Sequence, residues 1–339
     1  MIYPRFLSGQ STIGICAPSA GVGHKLESFD QSLAVLRKQG WKVWETEHVR
    51  VNSLRGGSAQ ERAGELMSLF SLDAVDAVFC ASGGDFLSEI LPHIDWQILA
   101  DHPKWLMGAS DPTGILYPLT TLCDIATLYG SNGGSFDATV LSEDGTPQLP
   151  GYLENMLRFL KGDLPVQETG SNHLGADIFQ LEDGPLVFPN PTVYHASCDA
   201  LHVRGRCIGG CIDVLKDLIG TGFDRTMDFI QRYADDGFIW YFDNFALSSA
   251  VLYRTLLQMR YAGWISPATT RAVLIGRTLF ENMECEMSYD EAIRTAFPDI
   301  PVIWEMDIGH TVPHFSMING AMLDVDWNGE KAKLRFELT

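Results

Sequence analysis

The chain has 339 residues, 46% of them hydrophobic, and a formal net charge of −19 at pH 7. That balance excludes the clustered lysine and arginine needed to follow a nucleic-acid backbone and makes an anionic membrane surface a poor partner. No run approaches the roughly 18 apolar residues that span a bilayer, and Met1-Ile2-Tyr3-Pro4-Arg5 lacks the layout of a signal peptide, which predicts a soluble, cytoplasmic protein.

In chain order, strands and helices alternate from the start. A strand is predicted from Thr12 to Pro18, a helix from Phe29 to Gln39, a strand over Lys42 to Glu45 and a helix over Ala59 to Phe70. Ala77-Val78-Phe79-Cys80-Ala81 is wholly apolar, as a strand covered on both faces would be, and runs into the turn Ser82-Gly83-Gly84-Asp85 before a helix from Leu87. Lys104 to Met107 reads as another buried strand, and Pro112 to Leu122 as a helix with proline at its first position. An amphipathic helix over Gly151 to Lys161 closes this part. The pattern predicts an α/β fold: an N-terminal flavodoxin- or Rossmann-like domain, residues 1–165, with a largely parallel sheet. Residues 166–204, rich in Gly, Pro, Asn and Asp, suit a linker and active-site loop, and residues 205–339 a C-terminal α/β domain.

Three places carry chemistry. Gly108-Ala109-Ser110-Asp111-Pro112-Thr113 puts Ser110 where a strand gives way to a helix. There a hydroxyl is exposed and amide N–H groups can face an oxyanion, although a helix N-cap would use the same residues. Met306 to Pro313 places His310 between turn formers, a candidate base with His314 as a nearby rival. Phe238-Ile239-Trp240-Tyr241-Phe242-Asp243 ends an apolar strand on a carboxylate that would orient the imidazole, cap the following helix, or do both. The seven cysteines are scattered through apolar runs and predict free buried thiols. Cys207 and Cys211 lie in a Gly-rich strand with no matching second pair, so no zinc site is expected.

The order Ser110, Asp243, His310 resembles that of the LD-carboxypeptidase family of serine peptidases, which includes muramoyltetrapeptide carboxypeptidases and microcin C immunity proteins. The resemblance extends over nearly the whole chain. It takes in Ile13 to Gly21, Glu61-Arg62-Ala63, Ala81 to Asp85, the Gly-x-Ser-Asp elbow, Gly205 to Cys211 with Gly220-Thr221, and Gly309-His310-Thr311-x-Pro313. It implies Ser110 as nucleophile, His310 as general base, and Asp243 as orienter where the family usually has glutamate. The backbone N–H groups of Gly84 and Asp111 would form the oxyanion hole. Ser82 stands where the family commonly has arginine.

The reaction so implied is hydrolysis of the amide between an L-residue and a C-terminal D-residue in murein tetrapeptides, through an acyl-enzyme and without a cofactor, by a triad assembled at the domain interface. Arg277 is a candidate partner for the substrate carboxylate and Glu281 for a substrate amine, an ordinary salt bridge being the alternative for both. The partner would be a small murein-type peptide or, in the immunity branch, an aminoacyl-nucleotide analogue. Residues 164–200 hold Phe179, Phe188 and Tyr194 but no tryptophan to stack a base, which favours the peptide. A non-catalytic binding protein on the same fold is the reading from another class. A homodimer is implied by the resemblance.

Overall fold

A computed structural model describes residues 1–174 and 184–339. The chain divides into two compact units, the first built mainly from Met1–Leu164 with Ser316–Gly320, the second mainly from Val187–Phe315 with Ala321–Thr339. Phe179 lies outside the described residues.

In the first unit the elements are β1 (Thr12–Cys16), α1 (Leu26–Lys38), β2 (Lys42–Glu45), α2 (Ala59–Ser71), β3 (Ala77–Cys80), α3 (Trp96–Asp101), β4 (Trp105–Gly108), α4 (Thr113–Cys123), β5 (Thr127–Tyr129) and α5 (Gly151–Leu160). The sheet order is β5-β4-β3-β1-β2, all parallel, with Met317–Asn319 added antiparallel beside β5. Every residue of β1, β3 and β4 is buried, as their sequences, apolar apart from Thr12, demand of central strands covered on both faces. Helix α2 begins in a capping box in which Ser58 and Glu61 satisfy each other's backbone N–H. The helix expected from Leu87 is instead a 3-10 segment, Leu87–His93. Pro92 inside it has no N–H to extend an α-helical ladder, and the next helix starts afresh on the Asp95 cap.

In the second unit β6 (Gln167–Glu168), β7 (His195–Ala196), β8 (Leu201–Cys211), α6 (Ile212–Leu218), α7 (Thr226–Arg232), β9 (Phe238–Asp243), α8 (Ser249–Tyr261), β10 (Thr270–Gly276), α9 (Tyr289–Ala296), β11 (Val302–Met306), β12 (Met322–Trp327) and β13 (Ala332–Glu337) follow. The sheet order is β7-β11-β10-β9-β8-β12-β13-β6. Strands β8 to β11 are mutually parallel and the flanking pairs antiparallel. Strand β8 does both: Leu201–Arg206 pairs with β12 and alternates in exposure as far as Arg204, whereas Arg206–Cys211 pairs with β9 and is buried throughout. Among the described residues no helix is long and apolar enough to cross a membrane.

Candidate active site

The first unit carries the serine. Strand β4 ends at Gly108 and α4 starts at Thr113, so four residues turn the chain from sheet to helix. Ser110 completes that turn with φ of 68°, a left-handed backbone that a residue with a Cβ adopts only at a cost of about 1–2 kcal/mol. The surroundings hold it there. Ser110 N–H donates to the Tyr129 hydroxyl at 3.1 Å, and Ala109 N–H donates to Asn132 Oδ1 at 3.0 Å. Gly108 lies so close to Cys80 and Pro112 that a Cβ on it would meet Pro112 Cβ at 2.7 Å.

Around the elbow lie the two loops that the sequence singled out. A Cβ on Gly83 would sit 3.0 Å from Ser110 Cβ, so the double-glycine loop runs directly against the serine. Gly84 has φ of 150°, and a Cβ there would meet Ser19 Oγ at 2.3 Å. Asp111, 5% exposed, ties the loops together: its carboxylate accepts from the Ser19 hydroxyl and from Leu87 N–H. Burial raises its pKa, while those two donors pull the other way. Arg62, fully buried on α2, donates to the carbonyls of Pro18 and Phe86 at 2.9 and 3.0 Å and to Glu89 at 2.5 Å, fixing the ends of both loops. In the sequence Arg62 stands only within the Glu61-Arg62-Ala63 segment of the resemblance. The distant partners that give it a task become visible only when the chain is folded.

The second unit carries the carboxylate and the imidazole. Asp243 is the last residue of β9 and has no solvent exposure. Its Oδ2 lies 2.7 Å from His310 Nδ1, and its Oδ1 accepts the His310 backbone N–H at 3.2 Å, so one carboxylate grips ring and backbone together. Gly309 makes this possible. With φ of 89° its backbone passes so close that a Cβ would lie 2.0 Å from Asp243 Cγ. The shorter aspartate therefore reaches the imidazole because the chain comes to it. Burial alone would lower the His310 pKa, but the Asp243 carboxylate outweighs it and the net shift is upward. The Phe245 ring covers the imidazole at 4.3 Å between centroids. Asp213 accepts the N–H groups of Phe245 and Ala246 at 3.0 and 3.2 Å and so shapes that loop, a role no local signal announced. His314, the rival base, is buried, which pushes its pKa down to about 4.

Arg277 sits at the end of β10, but it is buried and already engaged. It donates to Asp307 Oδ1 at 2.9 Å, to the Glu305 carbonyl at 3.1 Å and to the Thr311 hydroxyl. Asp307 in turn accepts from Gly170 N–H at 3.1 Å and the Tyr194 hydroxyl at 2.8 Å. The arginine thus braces both sides of the His310 turn. Glu305 joins the cluster with φ of 59°; burial raises its pKa to about 7, partly countered by Arg277. Glu281 is exposed. Tyr194 is buried against Trp327 with its hydroxyl committed to Asp307, so it offers no face to a nucleobase.

Sequence profiles of the LD-carboxypeptidase N-terminal and C-terminal domains match residues 13–130 and 204–325, and the chain belongs to the LD-carboxypeptidase family, a class of serine peptidase-type hydrolases. The microcin C7 self-immunity protein of Escherichia coli is 22% identical over 333 residues, covering 95% of this chain and 92% of that one. The murein tetrapeptide carboxypeptidase of Pseudomonas aeruginosa is 25% identical over 213 residues, covering 61% and 66%. The solved structure of the microcin C7 self-immunity protein with aspartyl sulfamoyl adenosine matches with a TM-score of 0.82 at 20% identity over 100% of both chains, a likeness of fold.

Proposed function

We propose that this chain is a carboxypeptidase that hydrolyses the amide between an L-residue and a C-terminal D-residue of murein-type peptides through an acyl-enzyme. The observation that carries the reading is the Asp243 grip on His310: a buried carboxylate at 2.7 Å from Nδ1 fixes the ring so that Nε2 is left to take and return a proton. Ser110 attacks the carbonyl, its proton passing to His310, and the oxyanion is met by the N–H groups of Gly84 and Asp111. His310 then protonates the leaving amine. A water activated by the same imidazole resolves the ester. The reading requires Ser110 and His310 to act as one set in the working enzyme. Arg277, bound to Asp307 and Thr311, acts in this reading as a brace for the histidine turn.

A second substrate class, the amide of an aminoacyl-nucleotide, is favoured by the fold shared with the microcin C7 self-immunity protein, whose solved complex holds aspartyl sulfamoyl adenosine. The commitment of Tyr194 to Asp307 favours the peptide. Incubation with a murein tetrapeptide and with an aminoacyl sulfamoyl-adenosine, followed by mass spectrometry with Ser110→Ala in parallel, decides between them. Release of the terminal D-residue that depends on Ser110 is expected. Cleavage of the nucleotide analogue alone would transfer the chain to the second class, and turnover of neither would remove both.

A further inference from the structure

Cys211, the last residue of β8, is the register partner of Asp243 across the β8–β9 pair. Its Sγ, a carboxylate oxygen of Asp243 and a ring nitrogen of His310 all lie within 4.8 Å of one another. Thiolate, carboxylate and imidazole are the three side-chain ligand types that hold zinc, with bonds of roughly 2.0–2.3 Å. We propose that Cys211, Asp243 and His310 form an inhibitory binding site for a thiophilic divalent cation of the zinc class.

The geometry is close to what such an ion needs. Atoms no farther apart than 4.8 Å share a centre at most about 2.8 Å from each, so closing to zinc bond lengths takes movements of at most about 0.8 Å. Two of the ligands stand on paired strands, which fixes their spacing, and the third rides on a turn behind Gly309. Cys207, four residues earlier on the same strand, pairs with Ile239 and belongs to no such group among the described residues. Of the three side chains only the imidazole is partly exposed, at 16%. On binding, the Cys211 S–H bond breaks, its proton goes to solvent and a metal–sulfur bond forms. The imidazole gives a lone pair, any proton on that nitrogen also leaving to solvent, and water completes the tetrahedron. No oxidant is involved. Binding depends only on these three side chains, whereas the inhibition rests on the proposed function, because the ion takes the base and its orienter out of the reaction.

Cobalt(II) titration of the whole protein reads the site directly, since a cobalt–thiolate bond gives a near-ultraviolet charge-transfer band. A band saturating at one ion per chain is expected for the wild type and for Cys285→Ser, an exposed-thiol control, and it should be displaced by zinc. It should vanish in Cys211→Ser, Cys211→Ala and His310→Ala. X-ray absorption of the wild-type zinc complex, expecting one sulfur among nitrogen and oxygen ligands, tests the same ligand set should a variant fail to fold. Absence of the band from the wild type, or its survival in both Cys211 variants, overturns the site. Zinc binding with this ligand set but without turnover of any amide keeps the site and removes the proposed function. Turnover with no metal–sulfur bond does the reverse.

Discussion

At the scale of single residues, the proposed site turns on how Asp243 reaches His310. The approach is made by the chain: Gly309 at φ of 89° brings the His310 backbone onto the carboxylate, giving contacts at 2.7 Å to the ring and 3.2 Å to the amide. The Asp243 charge also raises the pKa of His310, the proposed base. A base works when neutral, and the net upward shift of His310 means that activity should rise with pH through a value above the ordinary histidine range of about 6.5. Asp243→Asn keeps the shape, removes the charge and favours the wrong tautomer. It is expected to lower kcat on the order of 10³–10⁴-fold and to move the acid limb of the residual activity to lower pH. A pH–rate profile measures both. An acid limb that stays in place would show that Asp243 does not face the titrating base. The stability linked to this pair has the matching sign: it is fully present below the unfolded histidine pKa and is lost as pH rises through the raised folded one.

At the scale of elements, two turns at strand ends do the positioning, and each is expensive to build. The elbow between β4 and α4 holds Ser110 at φ of 68°, where glycine would be at ease. Ser110→Gly should therefore be more stable than Ser110→Ala by about 1 kcal/mol, read as a higher Tm of a few degrees, while both lack hydrolysis. Equal melting temperatures would mean that the elbow carries no strain. The His310 turn is braced by Arg277 between Asp307, Thr311 and the Glu305 carbonyl. Arg277→Lys retains a cation but loses the fork, and an imidazole displaced by a fraction of an ångström is expected to lower kcat about 10–100-fold with KM little changed. A variant that loses Tm but keeps kcat would reduce the arginine to a structural role. Much of this was legible in the sequence, since apolar runs ending in Gly-x-Ser-Asp or in Asp243 mark strand ends whatever the rest of the chain does. The bracing was not. Ser19 meets Asp111 across 92 residues and Tyr194 meets Asp307 across 113, and no local pattern announces partners so far away. Leu87–His93 departs from its local pattern for the opposite reason: its apolar spacing suits a helix, but Pro92 cuts the segment short.

At the scale of the whole molecule, the first unit is not a contiguous stretch of chain. Met317–Asn319, a few residues after the histidine turn, pairs antiparallel with β5 in the register Met317–Tyr129, Ile318–Leu128 and Asn319–Thr127, before the chain returns to the second unit at Ala321. Ile318 shares an apolar lining with Phe6, Trp105, Leu128, Phe159 and Leu160, and Asn319 Nδ2 donates to Thr127 Oγ1 at 3.3 Å. A fragment of residues 1–164 thus lacks the edge of its own sheet. It leaves the β5 ladder open and the apolar lining beside Trp105 uncovered, the combination that invites strand addition and aggregation. Expressed alone, residues 1–164 should be aggregation-prone or bind a hydrophobic dye. The same fragment with Ser316–Gly320 appended through a flexible linker should recover solubility and a cooperative melt. The high net negative charge opposes aggregation of the intact chain, so salt, which screens that charge, should widen the difference between the two fragments. A bare 1–164 fragment that melts like the extended one would show that β5 is a sufficient edge, and that the returning strand serves to tether the chain rather than to complete the sheet.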